Sequence, residues 1–282
     1  MSTRAATFAS ALGAAVLVQA QGPALEPVRQ SELAFARMAG ERGIRAAFVA
    51  WLTEEARVFT PRMTTAKVQY GREPGDSGHL AWYPEAMGLA ASGELAWSLG
   101  PWAYAAEKGE APRAHGHFLS VWRRQSDGRW RVVADIGVPH AAPDRPIEPF
   151  ETRQVPVPAP PTPALPDAGS LLRRLEAGLA EAWSTQGGMA LGPHLAKEAR
   201  ILRPGGLPRR GEAIWKALAA DRPGPGREPA VLEVAASGDL AWTCGETGSG
   251  PGAASFLRIW ILESGIWKVL FDVRLPHPSS TK

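Results

Sequence analysis

Cysteine is nearly absent from this chain of 282 residues: Cys244 stands alone. No intramolecular disulfide can form, so the fold must be held by buried apolar surface. A single thiol also leaves no zinc or redox spacing to draw. An excess of one charge is missing too. Lys and Arg number 31 against 28 Asp and Glu, a formal net charge of +3, with the bases scattered among acids. That pattern argues against a nucleic-acid-binding face. Beyond the N-terminus no apolar run approaches the roughly 20 residues that a membrane-spanning helix needs. The chain also lacks a nucleophile elbow, a phosphate loop and a paired-carboxylate motif. Gly245, Gly248, Gly250 and Gly252 fall in a hairpin loop with no helix after them, so they read as turn glycines. Neither a metal nor a cofactor is expected.

What is present begins with an N-terminal export signature. Arg4 supplies a positive start, residues 5–18 carry no charge, and Val18-Gln19-Ala20 offers a small-residue cleavage site. Residues 1–20 are therefore expected to be a signal peptide, which directs the protein to the periplasm or the exterior.

The rest of the sequence says nearly the same thing twice. ASGELAWSLGPW at 91–102 returns as ASGDLAWTCGET at 236–247, with 7 of 12 positions identical. EARVFTP at 55–61 returns as EARILRP at 198–204, and FLSVW at 118–122 as FLRIW at 256–260. Within each block the register holds; between blocks it slips. Insertions collect in loops because elements with a packed face cannot absorb them. The largest slip falls between Trp102 and Phe118, so the first copy should carry the longer hairpin there.

Apolar residues at three- and four-residue spacing predict helices over 30–39 and 44–54, and again from Leu171 to Trp183. Val58-Phe59 and Ile201-Leu202 read as short strands. GEAIWKAL at 211–218 reads as a third short helix of the second copy. Each copy then ends in a three-stranded meander whose last turn is Asp127-Gly128 or Ser264-Gly265. The division is a first domain over 28–140, a linker over 141–167 and a second domain over 168–277. Ten of the 29 residues at 139–167 are proline, which predicts an extended spacer that neither pairs in a sheet nor continues a helix.

ELAFARMAGERGIRAAFVAWLTEEARVFTP, ASGELAWSLGPW and FLSVWRRQSDGRWRVVADIG resemble the SnoaL-like, ketosteroid-isomerase-like domains of the nuclear transport factor 2-like superfamily. The resemblance covers about 28–138 and, more weakly, 169–275. It implies an α+β fold of two tandem cone-shaped domains, each with a curved antiparallel sheet wrapped around N-terminal helices. It further implies a conical pocket at the open end of such a fold, expected in the first copy rather than in the second, which reads as a structural partner, and a sheet-to-sheet pseudo-dimer within one chain. The superfamily holds isomerases, cyclases and dehydratases beside domains that only bind or assemble, so chemistry must be argued from the site.

Asp135 and Asp272 are the acids at matching positions of the last strand. Strict alternation puts Arg131, Val133 and Asp135 on one face and Trp130, Val132, Ala134 and Ile136 on the other. His115 and His117 flank Gly116 at the start of the preceding strand, and the second copy has no histidine there. Asp135 with His117 is thus the candidate catalytic pair for proton transfer. Trp82, Tyr83, Trp102 and Tyr104, with His115 at the rim, are the candidate ligand-binding residues, since amphipathic aromatics suit an apolar or planar molecule. The competing explanation for all of them is ordinary packing. The leading expectation is a non-catalytic protein that binds a small apolar molecule in the first domain; the alternative is an isomerase-, cyclase- or dehydratase-type enzyme. Cys244, where the first copy has Leu99, reads as a packing residue.

Overall fold

The computed structural model describes residues 25–71, 78–143, 152–155, 167–249 and 252–278. Residues 1–20, read as the export signal, and most of the proline-rich segment lie outside them. In the first copy α1 (Glu26–Arg42) begins with a proline in its first turn and ends at Gly43, whose φ of 88° other residues rarely adopt. α2 (Ile44–Trp51) follows and passes directly into β1 (Leu52–Phe59). β1 is longer than Val58-Phe59 alone suggested, because Leu52 and Ala56 also have a core to face.

After β1 come β2 (Met63–Thr65), α3 (Ala66–Tyr70), β3 (His79–Trp82), β4 (Ala86–Leu89), β5 (Leu95–Ala105), β6 (Ala114–Arg124), β7 (Trp130–His140) and β8 (Arg153–Gln154). The sheet runs β2-β1-β7-β6-β5-β4-β8, with β3 also pairing on β5. The second copy has α4 (Ala168–Gln186), a 3-10 segment (Gly187–His194), β9 (Leu195–Leu202), α5 (Ala213–Ala220), β10 (Val231–Val234), β11 (Leu240–Glu246), β12 (Ala254–Glu263) and β13 (Ile266–Pro276). Its sheet runs β10-β11-β12-β13-β9. The class is α+β with two separate sheets. One detail differs from a purely antiparallel sheet: β1 joins β7, and β9 joins β13, in parallel. The hairpin of β5 and β6 is the longer one, with 11-residue strands where β11 has 7.

Two expectations need correction. The proline-rich segment does pair in a sheet: the N–H groups of Arg153 and Val155 donate to Glu85 and Met87 carbonyls, each at 2.9 Å. Proline denies a ladder its donor only where proline itself stands, and residues 152–155 contain none. Strict alternation along the last strand also fails. A bulge falls opposite Val121/Trp122 on β7 and opposite Ile259/Trp260 on β13. The extra residue inverts the parity beyond it. Trp130, Val132 and Asp135 therefore share the helix-facing side of the sheet, while Val133 and Ala134 both turn outward.

The outward faces of the two sheets contribute to one apolar cluster, in which Trp97 meets Phe271 edge-on at 4.6 Å. Ser92 and Ser237, matching residues of the two copies, each donate a backbone N–H to the other's hydroxyl at 3.1 Å, which places them on a local two-fold axis. Cys244 is buried in the same cluster with its Sγ 3.7 Å from Met63 Sδ, and burial pushes its thiol up to about 12. An aromatic disulfide reagent is accordingly expected to label the protein only after denaturation. Rapid labelling of the native fold would show the thiol to be reachable. Among the described residues no helix is long and apolar enough to cross a membrane.

Candidate functional site

The first cone contains a cavity of about 460 Å³ between α1, α2, α3 and the helix-facing side of the sheet. Aromatic side chains make up nearly half of its lining residues. Phe35 of α1 packs edge-on against Phe48 at 4.9 Å and Trp82 at 4.8 Å, and Tyr70 lies against Phe48 at 4.8 Å. Trp102, Tyr104 and Ala114 come from the long β5–β6 hairpin, so the insertion legible in the sequence builds one wall. Phe118, Ser120, Asp135 and Gly137 line the sheet side.

Asp135 is the polar centre of this space. Burial pushes its carboxyl up to about 6, and the Ser120 hydroxyl, donating at 2.6 Å, only partly offsets that. Burial and the neighbouring Asp135 likewise raise the Tyr70 phenol. Behind the wall sits Glu32 of α1, wholly buried. It accepts from Trp82 Nε1 at 2.7 Å, Ser98 Oγ at 2.5 Å and Trp122 Nε1 at 2.9 Å. Burial nevertheless pushes it up to about 7, with those three donors opposing the shift and Asp135 adding to it. Among the described residues no cation pairs with either carboxyl.

The sequence-predicted residues divide between two places. Trp82, Trp102, Tyr104 and Asp135 come together around the cavity. Tyr83 is buried but does not line it. His117 lies on the opposite face of β6 from Phe118 and Ser120, as alternation requires, and so does His115. The proposed catalytic pair is therefore split by the sheet. His117 faces a separate cleft of about 330 Å³ between the domains, beside Glu85, Arg153 and Arg200. There its Nδ1 is 2.8 Å from His140 Nε2, and its Nε2 is 3.7 Å from Glu85. Burial opposes ionisation of Glu85, yet the contacts with His117 and Arg200 hold its carboxyl below the usual range. No group of three or more His, Cys, Asp or Glu suited to a metal ion occurs among the described residues.

The second cone is filled. What remains of the equivalent space is about 10 Å³. Trp183 stands where the first copy has Ala39, and the Arg274 guanidinium lies 4.1 Å from the centre of its ring. Arg258 reaches Asp272 at 2.7 Å and Glu176 at 2.6 Å, and Arg203 reaches Asp272 at 2.6 Å. Although burial works against it, these guanidinium groups hold the Asp272 carboxyl below its ordinary range.

The fold is thus α+β, with two separate sheets that each pack against helices of their own copy. No family model matches the chain, and no curated protein matches it by sequence. Among solved structures it is similar to a nuclear transport factor 2-like superfamily protein from Salmonella enterica serovar Typhimurium: 16% identity over 42% of this chain and 91% of that one, TM-score 0.33. A ketosteroid isomerase-like protein from Erwinia carotovora atroseptica is 14% identical over 42% of this chain and 97% of its own, TM-score 0.34. A nuclear transport factor 2-like protein of unknown function from Shewanella oneidensis is 19% identical over 40% of this chain and 96% of its own, TM-score 0.31. Identity at this level concerns fold alone.

Proposed function

We propose that the protein is a one-site receptor for a small, largely apolar molecule, held in the first cone, with the second domain as its packing partner in an intramolecular pseudo-dimer. The observation that carries this reading is the asymmetry between the copies. Duplication supplied two equivalent cones; one keeps about 460 Å³ of aromatic-walled space and the other about 10 Å³. A space of several hundred Å³ walled by aromatics with a few polar groups is what small-molecule sites offer, and leaving it empty forfeits packing that the second copy has recovered. Separation of His117 from Asp135 speaks for binding over acid–base catalysis by that pair. With residues 1–20 read as an export signal and the domains divided at 28–140 and 168–277, the receptor works in the periplasm or outside the cell.

The test is titration with N-phenyl-1-naphthylamine, a neutral fluorescent probe. Saturable binding at one equivalent per chain is expected, and loss of it in Gly137→Leu. Gly137 lines the cavity, and a β-carbon there comes no closer than 3.4 Å, to Trp102 Nε1, with no backbone atom within 4 Å. Two equivalents per chain, or no saturable binding by a natively folded protein, would sink the reading.

A further inference from the structure

The duplication provides an internal comparison for what the first cone lacks. Ser120 sits directly opposite Asp135 in the β6–β7 register, and Arg258 directly opposite Asp272 in the β12–β13 register. Thr60 follows β1 as Arg203 follows β9, and Gly137 lies two residues past Asp135 as Arg274 lies two past Asp272. Thr60, Ser120 and Gly137 all line the cavity. The first cone therefore differs from the second at three positions by the loss of an arginine. The acids have not changed in step. Glu32 and Asp135 occupy the positions of Glu176 and Asp272, the two carboxylates that Arg258 bridges.

We infer that the ligand of the first cone is an organic cation, a protonated amine or amidine on a planar apolar body, whose charged head takes the place that the Arg258 guanidinium fills in the second cone. This rests on the receptor reading above and narrows it to a chemical class. Asp135 faces the cavity directly and would receive the head group. Glu32 stands one layer back, behind Trp82, and adds negative potential. The faces of Phe35, Trp82, Trp102 and Tyr104 suit a cation as well as an apolar body, because their π-electrons attract positive charge. An anionic molecule would meet uncompensated carboxylate in a desolvated space. With its carboxyl raised only to about 6, Asp135 supplies negative charge to the cone at pH 7.5.

Three isosteric probes separate this inference from the reading beneath it: 1-naphthylmethylammonium, 1-naphthylmethanol and 1-naphthoate, titrated calorimetrically into the full chain at pH 7.5. The ammonium is expected to bind about tenfold or more tighter than the alcohol, as a charge-assisted hydrogen bond against a neutral one, and naphthoate not measurably. In Asp135→Asn the ratio of ammonium to alcohol affinity should fall to near one, whatever each affinity becomes. Ser120→Arg should cost the ammonium more than the alcohol by supplying the guanidinium internally. If alcohol and ammonium bind wild type equally, the cation inference is overturned while the receptor reading stands. If none of the three binds, both fall.

Discussion

Arg258→Met is expected to destabilise the second domain by about 3–5 kcal/mol, the usual cost of leaving buried charge without its partner. Arg258 is 4% exposed and, among the described residues, is the one side chain hydrogen-bonded to both Glu176 and Asp272. Its removal leaves Asp272 with Arg203 alone and Glu176 with two neutral donors, Thr243 Oγ1 and Trp260 Nε1. Methionine keeps most of the volume, so the loss reports charge and hydrogen bonding more than packing. Ser120→Ala, the same sheet position in the first copy, removes one hydroxyl donor and should cost about 1 kcal/mol. Urea denaturation of both variants, with R258M/E176Q as a rescue that leaves Asp272 on Arg203, checks the argument. A loss below about 1 kcal/mol in Arg258→Met, or no recovery in the double variant, would show that this network does not hold the second cone closed.

Much of this architecture is legible in the chain because it is written in local signals. The repeated ASG-x-LAW blocks mark the duplication, and Gly43 separates two helices as its position suggests. Asp127-Gly128 and Ser264-Gly265 close their hairpins, with Gly128 and Gly265 at φ 80° and 79°. Reading the site is harder for two physical reasons. A bulge leaves no mark in composition, yet the one at Val133 decides which face Asp135 takes. Glu32 was missed because helical periodicity looks for apolar residues. On α1 the buried residues are Val28, Glu32, Phe35 and Ala39, and on α4 they are Leu172, Glu176, Leu179 and Trp183. An acid on the apolar stripe at the same place in both copies was the available signal. Aligning the helices by their buried stripes would also have paired Ala39 with Trp183, and the β12 register would have paired Ser120 with Arg258. Those pairs distinguish an open cone from a filled one.

Between pH 4.5 and 7.5 wild type is expected to lose about 3 kcal/mol of stability relative to Glu32→Gln. Burial raises Glu32 from 4.5 to about 7, so the folded state holds a proton that the unfolded chain has released across that interval. A group with a raised folded-state pKa contributes its stability fully below the unfolded value and loses it as pH climbs through the folded one. The full span, two and a half pH units at about 1.4 kcal/mol each, is about 3.5 kcal/mol, and about 3 kcal/mol of it falls in this interval because the unfolded chain is already half ionised at pH 4.5. Asp135, raised from 3.8 to about 6, acts with the same sign over a window that starts and ends lower. The carboxylates of the second cone behave oppositely at Asp272, whose lowered pKa stabilises above its ordinary value and fails on acidification. Subtracting Glu32→Gln from wild type at each pH removes that background. Gln has one acceptor oxygen where the carboxylate has two, and Trp82 and Trp122 donate to different ones, so the substitution keeps one indole contact and sets one indole N–H against the amide NH2; that cost does not vary with pH, whereas the titration does. The indole N–H signals of Trp82 and Trp122 report the same event directly, and both should shift in proton–nitrogen spectra with a midpoint near pH 7. Flat signals from pH 5.5 to 8.5 would mean that Glu32 does not titrate in this range and would overturn the prediction. A bound cation should move the midpoint lower, because positive charge near Asp135 and Glu32 favours their ionised forms.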